Sequence, residues 1–559
     1  MRDLRPKVDI GGRAALHCAA VNRSIRPLLI LVLLATSLAA CSRCGSRPEA
    51  GSERTALARV PTDAAGALWI PDLGLFGERV AELQRLELLD FAAPMLRQPS
   101  GTALVDALVR QLGVDPRTRE GLKAAGLEPG RDAAFASPVS GELLSVLPVS
   151  DAKVLEDNVR RLAQRLLAAR AVTEVRVGEH RLLHFSRREG SPPVLGFAVV
   201  GNFALLLTEG LLGDAERVAR LLSGSDEGMA ANAVFSASRQ RLGGKPLAWG
   251  YLAGGRGLLP QGTVEGVGAA FDLSLSGLSM RLDAPWPDDR TLLPALTVKQ
   301  RSGKALGWLA SDSFAVMRHA GDPAALGGLW TWLVGARATR AATEAGIDVE
   351  KDILGNLEPG IVAGLSLSPG ARITSMTARQ ARRSNPFDWT ELSLVATARD
   401  PKKAEATLQK VPQLAPRLGA KLTPDTREGV PVWLASWSAG EGTHLALVEN
   451  HVAMASPEAE LMELIRRLKE APGTAPIAED LAPLLTGHGL ALVVDLHRLA
   501  DAIRALPADA WGMGGFALKP TTVRWLDALK ELRAVSLTAD AKGQALQAEL
   551  RLHLEVKKQ

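Results

Sequence analysis

The end of the chain constrains its fold more tightly than any other stretch. From Leu546 to Glu555 apolar and polar residues alternate without a break, Leu546, Ala548, Leu550, Leu552 and Leu554 against Gln547, Glu549, Arg551, His553 and Glu555. A period of two sets the two groups on opposite faces of a strand, one toward a core and one toward water. Such strands belong to antiparallel sheets, because the strands of doubly wound parallel sheets are buried on both faces and read as continuous apolar runs. With 559 residues, 47% of them hydrophobic, the chain can build two or more domains around such strands.

Upstream segments read in the same style. Asp151 stands at an N-cap position before Val154, Val159, Leu162 and Leu166 at helical spacing, and Asp400 with Pro401 makes a second such start. Gly178 leads into the strand-like HRLLHF and Gly429 into VPVWLASW. Two hairpins follow, Phe197 to Val200 turning at Gly201 and Asn202 into Phe203 to Leu207, and Leu445 to Val448 turning at Glu449 and Asn450 into His451 to Ala455. Helices are expected near Ala215 to Leu222 and Ala459 to Leu468, and strands at Leu247 to Leu252 and Leu490 to Asp495.

These elements recur at a spacing near 249 residues. Val60, Pro61, Thr62, Asp63 matches Leu309, Ala310, Ser311, Asp312, and Leu127, Glu128, Pro129, Gly130 matches Leu357, Glu358, Pro359, Gly360, where the register has slipped before it recovers further on. ELLSVLPVSD from Glu142 aligns with ELSLVATARD from Glu391 at four identical positions of ten, beyond a basic and polar insertion around Arg379 to Asn385. Matches in a constant order indicate duplication, at a period too long for a solenoid. The expected fold class is therefore α+β, two duplicated halves, each a mainly antiparallel sheet with packed helices. The first half would span residues 60–300 and the second 301–559.

The amino-terminal segment is an address. Leu28 to Ala40 reads LLILVLLATSLAA behind Arg23 and Arg26. Thirteen residues are too few to cross a bilayer core, which takes about 20 in a helix, and the charged start with a short apolar run fits a secretory signal. Its ending, Leu38, Ala39, Ala40, Cys41, resembles the lipobox of bacterial lipoproteins. That resemblance implies cleavage before Cys41, a diacylglyceryl group on its thiol, and acylation of the new amino terminus. Two or more chains at about 0.8 kcal/mol per buried methylene hold a protein stably on a membrane. Ser42 in place of Asp points to the outer membrane. A start at Val21 leaves VNRSIRP as an ordinary charged region, so initiation is expected there within the 1–40 signal segment. Residues 41–59, rich in Gly, Ser, Arg and Pro at first, form a flexible tether.

Charge and cysteine narrow the function classes. The first 40 residues carry six basic against two acidic side chains, a net +4, and the other 519 carry 60 against 59, a net +1. A near-neutral body lacks the basic field that nucleic acid requires, so no nucleic-acid partner is expected. The three cysteines are Cys18, Cys41 and Cys44, which leaves the body without a disulfide, a cysteine metal site or a cysteine nucleophile.

The remaining motifs read as structure. His180 and His184 are four apart, a ligand spacing on a helix, but they fall in a strand, where four residues span about 13 Å. His444 and His451 flank a hairpin and could approach across it. Ser150 to Lys153 matches S-x-x-K without its companion motifs, and Gly266 with Gly268 lacks the rest of a dinucleotide fingerprint. No metal site, cofactor or catalytic residue is expected. Among eleven tryptophans, Trp330 with Trp332 and Trp433 with Trp437 are the candidate binding surface, although the even spacing of the second pair also suits core packing.

The order of Asp-led helix, Gly-led strand and hairpin ending in Ala455 and Ser456 resembles a family of uncharacterised bacterial envelope proteins known as a domain of unknown function. The likeness runs from Val60 to the C-terminus, twice over, and implies no activity. The expected function is a lipid-anchored, non-enzymatic envelope protein, an interaction or scaffold module in the periplasm or at the outer membrane with an envelope protein or lipid as partner. The alternatives are a carrier for an apolar or small ligand in the cleft between the halves, and, ranked below it, a hydrolase.

Overall fold

A computed structural model describes residues 55–82, 93, 100–112, 115–138, 141–224, 228–254, 264–274, 276–286, 292–300, 302–327, 335–368, 390–418, 420–437, 440–511, 523, 526–527 and 529–555. These fall into two compact units. One runs to Ser236 and includes Lys245–Ala253; the other comprises Ala237–Gly244 and everything from Gly254 on.

In the first unit the strands are β1 (Gly66–Ile70), β2 (Ala133–Ser137), β3 (Leu144–Pro148), β4 (Ala171–Val177), β5 (His180–Ser186), β6 (Pro193–Val200), β7 (Phe203–Thr208) and β8 (Ala248–Ala253). They pair antiparallel in the order β4–β5–β6–β7–β3–β2–β1–β8. Helix α1 (Ala152–Leu167) starts where Asp151 accepts the Lys153 and Val154 N–H groups, and it buries Leu155, Val159 and Ala163. Helix α2 (Ala215–Ser223), capped by Asp214, buries Val218, Leu221 and Leu222. Helix α3 spans Ala233–Leu242, and its residues from Ala237 on belong to the second unit. At the β6–β7 turn Gly201 has φ +60°, a conformation that glycine adopts without strain.

In the second unit the strands are β9 (Gly266–Ser274), β10 (Gly277–Pro285), β11 (Ala315–His319), β12 (Ile361–Leu367), β13 (Thr390–Thr397), β14 (Ala420–Arg427), β15 (Val430–Trp437), β16 (Gly440–Glu441), β17 (His444–Val448), β18 (His451–Ser456), β19 (Leu490–Asp495), β20 (Leu532–Lys542) and β21 (Ala545–Leu554). Their antiparallel order is β9–β10–β21–β20–β19–β11–β12–β13–β18–β17–β15–β14, with β16 on β15. Helix α4 (Pro401–Leu408) is capped by Asp400. Helix α5 (Glu458–Lys469) turns Leu461, Leu464, Ile465 and Leu468 into a core that also contains Val395, Val432, Ala446 and Ala453. Helix α6 (Leu496–Ala505) lies over Phe314, Ala315 and Val494 beside Trp511.

The expectation of α+β with two duplicated halves, each its own sheet, is overturned. Among the described residues eight strands belong to one unit and thirteen to the other, all in extended antiparallel arrays. The reason lies in β21, whose backbone pairs along both edges. One edge takes β20 and the other takes β10, from Gly277 opposite His553 to Pro285 opposite Ala545. Strands β9 and β10 thereby join the strands of the second unit, and the edge of the C-terminal strand is sealed.

Candidate functional site

The polar side of the β21 alternation builds the site. Register sets Gln547 between Asp283 of β10 and Asp540 of β20, and Glu549 between Arg281 and Thr538. Sharing one sheet face, these residues are joined at its margin by Arg241 and Leu242 from the end of α3, by His488 from the loop before β19, and by Lys542. With Ala548, and with Asp283 beneath rather than in the lining, they line a cavity of about 130 Å³.

Its floor is held by internal charge. Asp283 is fully buried and accepts bonds from Ser238 Oγ at 2.7 Å, Arg241 Nη2 at 2.6 Å and Nε at 3.0 Å, and Gln547 Nε2 at 3.1 Å. A buried carboxylate is tolerated only when satisfied in this way. Gly268, opposite Asp283 in the register, permits the approach of α3, since a Cβ there would lie 2.2 Å from Ser238 Cβ. Close packing therefore accounts for Gly268 of that pattern. Arg281 donates to Asp272 at 3.1 Å and to the Leu242 carbonyl at 2.9 Å.

His488 Nδ1–H donates to Asp540 Oδ2 at 2.5 Å, and the Gly489 N–H donates to Oδ1 of the same carboxylate at 2.9 Å. The Asp540 bond raises the His488 pKa above the ordinary histidine value against the pull of burial. Burial pushes Asp540 up, yet the bonds from His488 and Gly489 together outweigh it and hold the carboxyl below its usual range. The arrangement can bind and orient a small polar molecule; its lining carries no serine or cysteine.

A second charged cluster of the same unit joins Glu391 on β13, Glu460 and Arg467 on α5 and Asp312 before β11. Glu460 is buried and bonded to Arg467 at 2.5 Å, and Asp312 accepts from Ser366 Oγ at 3.0 Å. Burial, with the neighbouring Glu460 and Asp312 charges, pushes Glu391 up to about 7. Burial likewise raises Glu460 despite Arg467. No group of three or more possible metal ligands occurs among the described residues.

The residues singled out in the sequence are placed as follows. Trp433 is 4% exposed and packs on Ala398, Ala404, Leu408 and Leu447, in the core. Trp437 falls at the end of β15. Trp330, Trp332, the lipobox residues Leu38, Ala39 and Ala40, and Cys41 lie outside the described residues. The two hairpin histidines are not brought together: His451 adjoins the turn, opposite Val448, whereas His444 is opposite Ala455 at the far end. His444 is buried and accepts the Ala435 N–H; His451 stacks 4.7 Å from the Trp308 ring. His180 and His184 sit on β5, and burial lowers the His184 pKa. Ser150 donates to the Leu127 carbonyl while Asp151 caps α1, so S-x-x-K is a helix start.

The cavity residues were missed because each reads singly as a solvated charge. The available signal was the polar half of the β21 alternation, Gln547 and Glu549, with Asp283 and Asp540 interrupting neighbouring apolar strands.

No protein-family model matches the chain, and no curated protein matches it. Among solved structures, three crystal forms of TP0453 are similar: forms IV and I at a TM-score of 0.24 with 8% and 9% identity, and form III at 0.25 with 8%, each covering 42% of this chain and 81% of that one. A likeness of that size carries no argument about fold or function.

Proposed function

We propose that the chain is a lipid-anchored cell-envelope protein of non-enzymatic type, tethered through Cys41 to the outer membrane on its periplasmic side and acting there as an interaction or scaffold module. One observation carries the reading: the apolar run Leu28 to Ala40 closes on Leu38, Ala39, Ala40 and Cys41 after a basic start. A hydrolase of the triad kind calls for a nucleophile beside a pair such as His488 and Asp540, and the lining of this cavity offers no serine or cysteine. A carrier for an apolar ligand calls for an apolar pocket of roughly 300–1,000 Å³. The cavity beside β20 and β21 is about 130 Å³ and lined with charge, and it does not meet that description.

Fractionation of envelopes from cells making the native chain or Cys41→Ala tests the proposal. The native chain should sediment with the outer membrane and the variant should appear in the soluble periplasmic fraction. Envelope proteins cross-linked to the native chain should be lost from the variant. A variant that stays with the membrane would defeat the anchor, and turnover of an envelope substrate by the purified chain would defeat the non-enzymatic reading.

A further inference from the structure

We propose that the cavity beside β20 and β21 is a binding site for a small zwitterionic solute of amino-acid size. This rests on the cavity alone and is independent of the lipid anchor. Most of the lining is already committed: Arg241 and Gln547 to Asp283, Arg281 to Asp272 and the Leu242 carbonyl, His488 to Asp540. These bonds fix the walls before any ligand arrives, the condition for binding without a large ordering loss.

Two lining residues differ. Lys542 and Glu549 form no ion pair among the described residues, and they carry opposite charges on neighbouring strands. Lys542 is exposed at the rim, and Glu549 is half-buried on the face between Arg281 and Thr538. A carboxylate beside Lys542 and an ammonium beside Glu549 would complete both, and charge-assisted bonds of this kind are roughly twice as strong as neutral ones. A simple anion would meet the lysine and make no bond to Glu549. A neutral polyol would satisfy neither. At about 130 Å³ the cavity is close in size to an engineered protein cavity that admits benzene, so it suits a solute of a few heavy atoms and excludes a peptide.

Isothermal titration of the full chain in detergent with L-alanine, L-lysine and L-glutamate, and with acetate and glucose in parallel, tests the assignment. Saturable millimolar or tighter binding is expected for at least one amino acid, with acetate and glucose at least tenfold weaker. Lys542→Met and Glu549→Gln should each weaken that binding tenfold or more while leaving the unfolding midpoint in place, since neither side chain holds the floor. Absence of saturable amino-acid binding, equal binding by both variants, or acetate or glucose binding as tightly as the amino acid would overturn it.

Discussion

Arg318 sits at 1% exposure on β11 with no carboxylate as partner; its guanidinium donates instead to the carbonyls of Leu485 at 3.1 Å, Ser302 at 3.0 Å and Gln300. Two loop oxygens and one at the end of the short helix Ala482–Thr486 are thereby satisfied by one side chain. Arg318→Met leaves them buried and unpaired, at about 1–3 kcal/mol each before relaxation, so a net loss of about 3 kcal/mol is expected in urea unfolding. Glu391 makes a different kind of prediction. Its carboxyl releases its proton near 4.5 when unfolded and near 7 when folded, so across that window the folded chain holds more protons. Stability from this group is complete below about pH 4.5 and is lost as pH rises through about 7. Glu391→Gln should flatten that decline and leave the variant more stable than the native chain at pH 8, as urea midpoints at pH 5 and pH 8 will read. His488, also raised, shifts stability in the same direction at higher pH, and the Gln variant retains that part.

Elements with one clear apolar stripe were legible. The heptad-like spacing in α5 reads directly as Leu461, Leu464, Ile465 and Leu468, and all four are buried. Both hairpins turn where expected, although at the second turn Glu449 takes the positive φ, +55°. Strands β4 and β14 left no signal. Nearly every residue of β14 is exposed or half-exposed and Pro424 lies within it; β4 is similarly wet, and each pairs with one neighbour among the described residues. A strand that buries neither face has no hydrophobic period to read. The opposite lesson comes from β21, where alternation gave the strand but not the depth: Leu550 is 42% exposed and its cross-strand partner Leu537 is 37% exposed. Leu464→Ala should therefore cost about 3 kcal/mol, whereas Leu550→Ala should change stability by about 0.5 kcal/mol or less, the pair to be compared by denaturant unfolding at constant pH.

At the scale of the molecule, sequence matches 249 residues apart said which segments resemble each other but not which strands pair. Pairing is decided by free edges, and β10 seals the edge of β21 across more than 250 residues of chain. The cavity is a product of that pairing: Arg281 and Asp283 meet Gln547, Glu549, Asp540 and Lys542 only because β10, β21 and β20 are neighbours. No local motif could have announced it. The proposed location, by contrast, rests on a short linear signal, Leu38 to Cys41 behind an apolar run, that owes nothing to folding. Mass spectrometry of the amino-terminal peptide of the chain purified from envelopes addresses that signal at its source. A peptide beginning at Cys41 with a diacylglyceryl mass on the thiol and an acylated amine is expected. An amino terminus at any other residue, with Cys41 internal and unmodified, would contradict the lipid anchor on which the proposed function rests.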